Sequence, residues 1–362
     1  MNLMDTDTVA LSEDEKSVVI IDQTLLPGEI RLLNLDSSKD IWEAIYHLKV
    51  RGAPAIGVCA ALGMYVLSQS YDQTSYEKFK EQFMADKAYL EGSRPTAVNL
   101  SWALNQMGEV ILNYPQKIVD NVDNLVDKLR DKATEIKNQD ILVCKTIGEY
   151  GLSLIKPGFG ILTHCNAGKL ATVKYGTATA PIYLAHEKGY NLRVYCDETR
   201  PLLQGARLTA FELTESGVDT TLLCDNMCAT VMKNGWIDAI FVGCDRVAAN
   251  GDTANKIGTS VVAIVAKRYN VPVYICAPTS TIDLSTATGD DIVIEERPAE
   301  EVTDMWYEKK MSHPKVKVFN PAFDVTDHSL ISGIITEYGI ARAPYEESLK
   351  NIFEEKNKNA RK

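Results

Sequence analysis

Polar side chains follow several apolar runs in the second half of the chain, and residues 242–259 have the residue types of a binding site. The apolar run 239–242 predicts a buried strand, and an acid, Asp245, follows it closely. An amide, Asn255, and a cation, Lys256, come later in the same stretch. Ligands of an open parallel sheet bind beyond the carboxyl ends of its strands, so this stretch is a candidate site. For Asp245 alone, helix capping or a salt bridge is the default interpretation.

A cysteine, Cys165, follows another predicted strand in the motif T-H-C-N-A-G. Asn166 and Gly168 predict a tight strand-to-helix turn that presents the thiol at the edge of the sheet. The amides of a helix N-terminus would favour the thiolate there. A buried structural cysteine is the equal alternative on these residues alone.

Other strand ends carry polar residues too. Gln204 lies in the loop after the predicted strand L-R-V-Y-C-D, and Asp225 ends the next predicted strand. The carboxyl ends of parallel strands share one face of a sheet. The pattern therefore predicts that Cys165, Gln204, Asp225, Asp245 and Lys256 converge on that face.

The elements that must position these residues are predicted from periodicity. From residue 158 onward, apolar runs alternate with helical segments, which indicates a parallel sheet covered on both faces. No G-x-G-x-x-G follows the first of these strands, so no dinucleotide is implied. Residues 295–321 form a charged excursion, and residues 356–362 are expected to be a disordered tail.

The first part of the chain predicts a hairpin at residues 18–35 and then several helices. Two of these helices are expected to start at a proline that follows shortly after an arginine. The two motifs are Arg51-Gly52-Ala53-Pro54 and Arg94-Pro95. Gly52 lets the backbone approach a ligand, and free N–H groups at a helix start attract anions. A tight turn with a solvated arginine explains the first of these motifs as well. Residues 117–150 predict one long helix or two consecutive ones.

The predicted fold class is α/β with two domains. Residues 1–120 would form a small, mainly helical domain with a short antiparallel sheet, and residues 121–355 a parallel-sheet domain. A chain of 362 residues exceeds the usual size of a single core, which supports this division.

Composition excludes several classes of function. A net charge of -11 argues against nucleic acid as a partner but allows a small phosphorylated substrate. No apolar run approaches the ~18 residues of a membrane span, and the N-terminus does not have the basic and apolar regions of a signal peptide. The eight cysteines are scattered without a C-x-x-C pair, and the five histidines have no metal-ligand spacing. We therefore expect a cytoplasmic protein without a metal site.

Taken together, these stretches resemble the S-methyl-5-thioribose-1-phosphate isomerase family, which is related to the regulatory subunits of eukaryotic initiation factor 2B. The resemblance runs from residue 51 to residue 326. Its motifs are R-G-A-P-A-I-G, S-R-P-T-A-V-N-L, T-H-C-N-A-G, D-E-T-R-P-L-L-Q-G-A-R-L-T, D-N-M, V-G-C-D-R-V-A-A-N-G-D-T-A-N-K-I-G-T, I-E-E-R and N-P-A-F-D-V-T.

The resemblance implies a catalytic cysteine at Cys165 and a catalytic acid at Asp245. The phosphate and sugar contacts that it implies are Arg51, Gly52, Ala53, Arg94, Gln204, Asn255 and Lys256. It further implies a homodimer whose C-terminal domain, residues 121–355, is Rossmann-like. The implied reaction belongs to methionine salvage and converts an aldose 1-phosphate to a ketose without a cofactor or metal. Phosphate on the anomeric oxygen blocks spontaneous ring opening, so an acid must protonate the ring oxygen. We expect apolar surroundings to keep Asp245 protonated for that step.

Some positions depart from the family pattern and leave the substrate open. Lys169 and Lys174 stand where relatives commonly have small residues, and Cys228 and Thr230 also differ. Lys169 is expected to face solvent, as most lysines do, or else to change the pocket for the 5-substituent. A changed pocket would favour 5-deoxyribose 1-phosphate or ribose 1,5-bisphosphate. A non-catalytic regulatory subunit, as in the initiation-factor relatives, is the alternative from another class.

Overall fold

The computed structural model describes residues 6–95, 97–115 and 122–359. The chain divides into two compact units. The first unit comprises Met1–Leu142 and Lys169–Gly176, and the second comprises Val143–Gly168 and Thr177–Lys362. The domain limits expected at residues 120 and 355 remain predictions. Within the described ranges, no helix is long and apolar enough to cross a membrane.

The first unit combines a three-stranded antiparallel sheet with helices. Its elements are β1 Val9–Leu11, β2 Val18–Ile21, β3 Leu32–Leu35, α1 Ser38–Tyr46, α2 Ala53–Ser68, α3 Tyr76–Glu91, α4 Val98–Leu112 and the larger part of α5 Asp123–Leu152. The pairing of β2 with β3 confirms the predicted hairpin. The α2 helix is buried from Ala55 to Ser68, which is why its sequence is apolar all round.

Two details of the first unit differ from the expectation. The α4 helix begins at Val98 and not at Pro95, with Ala97 as the residue before its first turn. Pro54, in contrast, does lie in the first turn of α2. Of the segment expected at residues 117–150, the part before residue 122 lies outside the described residues. The rest is the single helix α5.

The second unit contains two sheets. Its strands are β4 Gly160–Thr163, β5 Arg193–Asp197, β6 Asp219–Leu223, β7 Ala239–Val242, β8 Arg246–Ala248, β9 Thr253–Lys256, β10 Val273–Cys276, β11 Ile282–Asp283, β12 Phe323–Thr326, β13 Gly333–Thr336 and β14 Gly339–Ala341. Its remaining helices are α6 Ala180–Glu187, α7 Ala210–Glu215, α8 Cys228–Lys233, α9 Thr259–Tyr269, α10 Glu300–Thr303 and α11 Tyr345–Asn359.

The larger sheet has seven strands in the order β14-β13-β10-β7-β4-β5-β6. All neighbours are parallel except β13 and β14, so the predicted parallel sheet is confirmed. Strands β4, β7, β10 and β13 are buried along their whole length, as continuous apolar runs predict. The chain winds from β4 towards β6 and then continues with β7 on the other side of β4. The strand order therefore reverses between β4 and β7.

The smaller sheet, of order β11-β8-β9-β12, was not predicted. Strands β8 and β9 form a hairpin inside the stretch that was interpreted as a loop. The overlooked signal is Asn250-Gly251, a dipeptide typical of tight hairpin turns. The backbone N–H of Gly251 donates to the Ala248 carbonyl across this turn. The sequences of β8 and β9 do not alternate between apolar and polar residues, so they do not give the usual signal of a strand.

The C-terminal end also corrects the expectation. Helix α11 continues to Asn359. The prediction of a disordered tail from residue 356 onward is therefore wrong for residues 356–359. Residues 360–362 lie outside the described ranges.

Candidate active site

Cys165 lies two residues beyond β4, on one side of the point where the strand order reverses. Its backbone is in the left-handed region at φ 62°, which is rare for a residue with a side chain and costs about 1–3 kcal/mol. The side chain is half-buried. Such strained residues cluster at functional sites, which supports the predicted role of this cysteine.

Two threonines hold this strained backbone in place. Thr199 Oγ1 accepts the N–H of Cys165 at 2.8 Å, and Thr209 Oγ1 donates to its carbonyl at 2.6 Å. Thr209 also accepts a hydrogen bond from the Asn166 side chain at 3.0 Å. Both threonines come from the segment after β5, some 34 and 44 residues along the chain. Contacts at that separation have no local signal in the sequence, so these two threonines were not predicted.

The predicted helix directly after the cysteine turn is wrong. A single 3-10 turn, Lys169–Ala171, comes first, and the next α-helix, α6, begins at Ala180. Support of a thiolate by helix N-terminal amides therefore has no basis here. What does hold the turn is the pair of threonine hydroxyls.

Gln204 follows β5 and is 91% buried, since its relative exposure is 9%. Among the residues that the structure describes, its side-chain oxygen Oε1 has no hydrogen-bond partner. A buried polar atom without a partner costs about 1–3 kcal/mol. A hydrogen-bond donor of a bound ligand would satisfy that oxygen, which is consistent with the prediction that Gln204 contacts a ligand.

The loop that carries Gln204 is fastened by the excursion at residues 295–321. Trp306 Nε1 donates to the Pro201 carbonyl at 2.7 Å, and the Arg200 guanidinium donates to the Val302 carbonyl at 2.8 Å. The guanidinium of Arg207 lies 4.7 Å from the centre of the Trp306 ring. The charged segment 295–321 therefore holds the loop that carries Gln204 in place.

Asp225 follows β6 and acts on the same loop. Its two carboxylate oxygens accept the backbone N–H groups of Thr199 and Arg200, both at 2.7 Å. Because Thr199 in turn accepts from Cys165, Asp225 supports the cysteine turn indirectly. The carboxylate is therefore a positioning group, and its predicted place at the carboxyl ends of the strands is confirmed.

Asp245 follows β7, on the other side of the reversal from Cys165. Its N–H donates to the Ala254 carbonyl at 2.9 Å, which fixes it at the base of the β8–β9 hairpin. Asp245 is exposed, so the described chain does not give its carboxyl the apolar surroundings that were expected. That part of the expectation is wrong for the chain as described. Any dehydration of Asp245 must come from what binds over it.

Asn255 and Lys256 lie at the end of β9, in the smaller sheet and not at a strand end of the larger one. Asn255 is 5% exposed, and its side-chain amide donates to Thr259 Oγ1 at 3.0 Å. The Lys256 ammonium lies 4.6 Å from the centre of the Phe323 ring. The hairpin pairs Arg246 with Ala254, so the acid and this amide–cation pair belong to one small β unit.

The remaining predicted contacts, Arg51, Gly52, Ala53 and Arg94, lie in the first unit. Gly52 immediately precedes α2 with φ 89°, and a Cβ there would lie 2.4 Å from the Ala171 carbonyl oxygen. No other residue type fits this close approach. Packing against Ala171 therefore explains the glycine, and anion binding by Arg51, Gly52 and Ala53 stays a prediction.

Lys169 contradicts the expectation that it faces solvent. It is fully buried in the first unit, and its ammonium donates to the Thr6 carbonyl. Its own carbonyl accepts from Thr8 Oγ1 at 2.9 Å. Lys174 lies 5.5 Å from the centre of the Tyr175 ring. Lys169 thus anchors the N-terminal segment.

Metal ligands are sparse in the described residues. Two groups have histidine and carboxylate atoms within 4.8 Å of one another: His164, Asp197 and Asp225, and Asp252, Asp327 and His328. In the first group, both Asp225 oxygens already accept backbone N–H groups, and the His164 nitrogens face Asp197 and the Ile257 carbonyl. This geometry is that of a hydrogen-bonded network.

Comparisons with known proteins show which family the chain belongs to. The model of the initiation factor 2 subunit family matches residues 49–343. Methylthioribose-1-phosphate isomerase of Symbiobacterium thermophilum is 59% identical over 98% of both chains. 5-Deoxyribose 1-phosphate isomerase of Petrotoga mobilis is 56% identical over 96% of this chain and 99% of its own.

Solved structures give the same result. The crystal structure of 5-methylthioribose 1-phosphate isomerase from Pyrococcus horikoshii has a TM-score of 0.91 and 40% identity, covering 96% of each chain. The translation initiation factor eIF-2B subunit delta from A. fulgidus has a TM-score of 0.90 and 36% identity, covering 96% of this chain and 99% of its own.

The fold and site define an α/β protein with polar residues gathered at the reversal of a parallel sheet, where such sheets bind small ligands. The chain belongs to the initiation factor 2 subunit family. The resemblance to the isomerase branch of that family, inferred from the motifs, is confirmed.

Proposed function

We propose that this protein is an aldose–ketose isomerase that converts S-methyl-5-thio-α-D-ribose 1-phosphate to S-methyl-5-thio-D-ribulose 1-phosphate. The observation that carries the proposal is 59% identity to a methylthioribose-1-phosphate isomerase over nearly the whole chain. The strained Cys165 and the acid Asp245, on the two strands at the sheet reversal, give that identity a chemical basis. A purely regulatory role has no comparable support.

In the proposed reaction, the carboxyl of Asp245 donates a proton to the ring oxygen as the bond from that oxygen to C1 breaks. The substrate itself supplies the dehydration that the exposed Asp245 does not have, because a bound sugar phosphate would displace water from it. Gln204 Oε1 accepts from a sugar hydroxyl. Arg51, Gly52, Ala53, Arg94, Asn255 and Lys256 hold the phosphate and sugar.

Hydrogen then moves from C2 to C1 by one of two balanced routes. In the first, a base removes the C2 proton to give an enediol-like intermediate, C1 is protonated and the O2 proton is lost. In the second, C2 passes a hydride to C1 directly and the O2 proton leaves. A Cys165 thiolate would act as the base in the first route and as an electrostatic stabiliser in the second. Solvent deuterium appears at C1 only in the first.

A second substrate, 5-deoxyribose 1-phosphate, has its own support. Several relatives at 51–56% identity are named 5-deoxyribose 1-phosphate isomerase. Both sugars share the anomeric phosphate and differ only at C5. Ribose 1,5-bisphosphate is the third candidate from the sequence.

Turnover of the three substrates by the purified protein tests the proposal. We expect kcat/KM to be highest for the methylthio sugar, with ketose 1-phosphate identified by NMR. A higher kcat/KM on the deoxy sugar would reassign the substrate within the same reaction. No ketose from any of the three would refute the function.

We also propose a cytoplasmic homodimer in methionine salvage. The family resemblance supports each of these features, and the scattered cysteines support a reducing compartment. Light scattering would then report about twice the 40.1 kDa of one chain.

A further inference from the structure

The buried imidazole of His164 joins two parts of the candidate site that are far apart in the sequence. His164 lies directly before Cys165 and is 1% exposed. Its Nδ1 lies 3.1 Å from Asp197 Oδ2, at the end of β5. Its Nε2 lies 2.9 Å from the carbonyl oxygen of Ile257, the residue after Lys256.

The chemistry of the Ile257 carbonyl fixes a proton on Nε2 of the ring. A carbonyl oxygen can only accept, so Nε2 donates to Ile257. Burial lowers the pKa of His164, but the hydrogen bond and charge of Asp197 and the Ile257 carbonyl raise it more, so the net shift is upward. Nδ1 forms the other hydrogen bond of the ring, with Asp197, whose own pKa is raised by burial.

The ring also fills the space beneath the turn between β9 and α9. Gly258 has φ 103°, and a Cβ at this position would lie 2.8 Å from His164 Cε1. The turn Ile257–Gly258 therefore rests directly on the imidazole. On its other side, Gly258 donates its N–H to Asp324 at 2.8 Å.

Cys165 is thus adjacent to the residue that carries the ring, and Lys256 is adjacent to a residue that the ring contacts. Movement of the ring would displace the cysteine turn and the amide–cation pair relative to each other. A displacement of 1 Å in such a site can cost about 100-fold in rate.

We propose that His164 is a positioning residue of the isomerisation, which holds Asn255 and Lys256 in register with Cys165 through its bond to the Ile257 carbonyl. The proposal rests on the proposed function for the identity of the ligand, a sugar phosphate. It assigns no contact between His164 and that ligand.

Two substitutions separate the two hydrogen bonds. The side-chain amide nitrogen of asparagine matches Nδ1 of histidine, and that of glutamine matches Nε2. His164→Gln therefore keeps a donor for Ile257 and loses the one for Asp197. His164→Asn does the reverse. Both remove the imidazole and leave the same buried neighbours, so each is the control for the other.

The expected result is a difference in KM. His164→Asn should raise KM for the sugar phosphate about 10-fold, the effect of one lost hydrogen bond on the register of the contacts. His164→Gln should stay within about 3-fold of the wild-type KM. A merely structural role would lower the melting temperature and the active fraction of both variants while leaving KM unchanged. That outcome, or equal KM changes in both, would overturn the proposal.

Binding keeps this test separate from the test of function. Calorimetric titration with α-D-ribose 1-phosphate, after circular dichroism has shown that each variant is folded, should show about 10-fold weaker binding for His164→Asn only. Wild-type protein that binds this probe but turns over none of the candidate substrates would refute the proposed function. The comparison of the variants would still decide the role of His164. Wild-type protein that does not bind the probe would refute both.

Discussion

The substitution Gly52→Ala tests the predicted phosphate loop with a magnitude that follows from the structure. A Cβ at Gly52 would lie 2.4–2.6 Å from the carbonyl oxygen, Cα and Cβ of Ala171. Ordinary contacts are about 3.5–4.0 Å, so the backbone must move by about 1 Å. The conformation itself, at φ 89°, costs a residue with a side chain about 1–3 kcal/mol, and the overlap costs a similar amount.

Together these effects give a loss of about 2–6 kcal/mol from a typical total of about 5–15 kcal/mol. If the N–H groups around Gly52 bind the phosphate, a shift of about 1 Å should also lower kcat/KM about 100-fold, mainly through KM. The assays are thermal unfolding and steady-state turnover of the methylthio sugar. Turnover is measured well below the melting temperature of the variant.

Gly158→Ala is the matched control. Gly158 also has a positive φ of 81°, but among the described residues nothing lies within 4 Å of a Cβ placed there. It should lose stability and keep its turnover. A kcat/KM of Gly52→Ala within about 3-fold of this control would show that the backbone around Gly52 does not bind the phosphate. If Gly52→Ala does not fold, Arg51→Gln replaces it, with a raised KM as the expected result and an unchanged KM as the contrary one.

Two further predictions concern the support of the site and the acid stability. Thr199→Val removes the acceptor of the Cys165 N–H and should lower kcat about 10-fold at constant KM. The same exchange at Thr220, in β6, is the control and should leave kcat unchanged. Equal kcat values in the two variants would show that Thr199 does not hold the Cys165 backbone in its active position. Asp283 has its pKa lowered to about 2, first by the Ser285 hydroxyl, so it stabilises the fold above pH ~3.8 and loses this effect as the pH falls towards 2. The difference in melting temperature between wild type and Asp283→Asn should therefore be constant above pH ~4 and shrink below it. A difference that grows as the pH falls would contradict the lowered pKa of Asp283.

Much of the larger sheet could be predicted from the sequence. Buried parallel strands are continuous apolar runs, and β4, β5, β7 and β10 were each predicted from one. The edge strand β6 was also predicted, although most of it is exposed. The polar residues that end these runs were therefore predicted to share one face, because strand topology alone brings them together. The positions of Cys165 and Asp245 follow from this.

What the sequence did not predict depends on contacts between distant residues. The burial of Lys169 reverses the usual preference of lysine, and only the fold brings it a backbone carbonyl at Thr6. The threonines that fix Cys165 have no periodicity that marks them. The β8–β9 hairpin has a turn signal at Asn250-Gly251 but no alternation in its strands, so its small residues were interpreted as a loop.

The most direct test of the central claim compares the wild type with Cys165→Ser and Asp245→Asn. Two controls carry the same exchanges elsewhere: Cys224→Ser, an exposed thiol after β6, and Asp219→Asn, an exposed acid at the amino end of β6. With the best of the three sugar phosphates, both site variants should be folded and lose at least ~100-fold in kcat, about 2.7 kcal/mol in the barrier, while both controls stay near wild type. Near-normal turnover in either folded site variant would remove that residue from the mechanism and contradict the account.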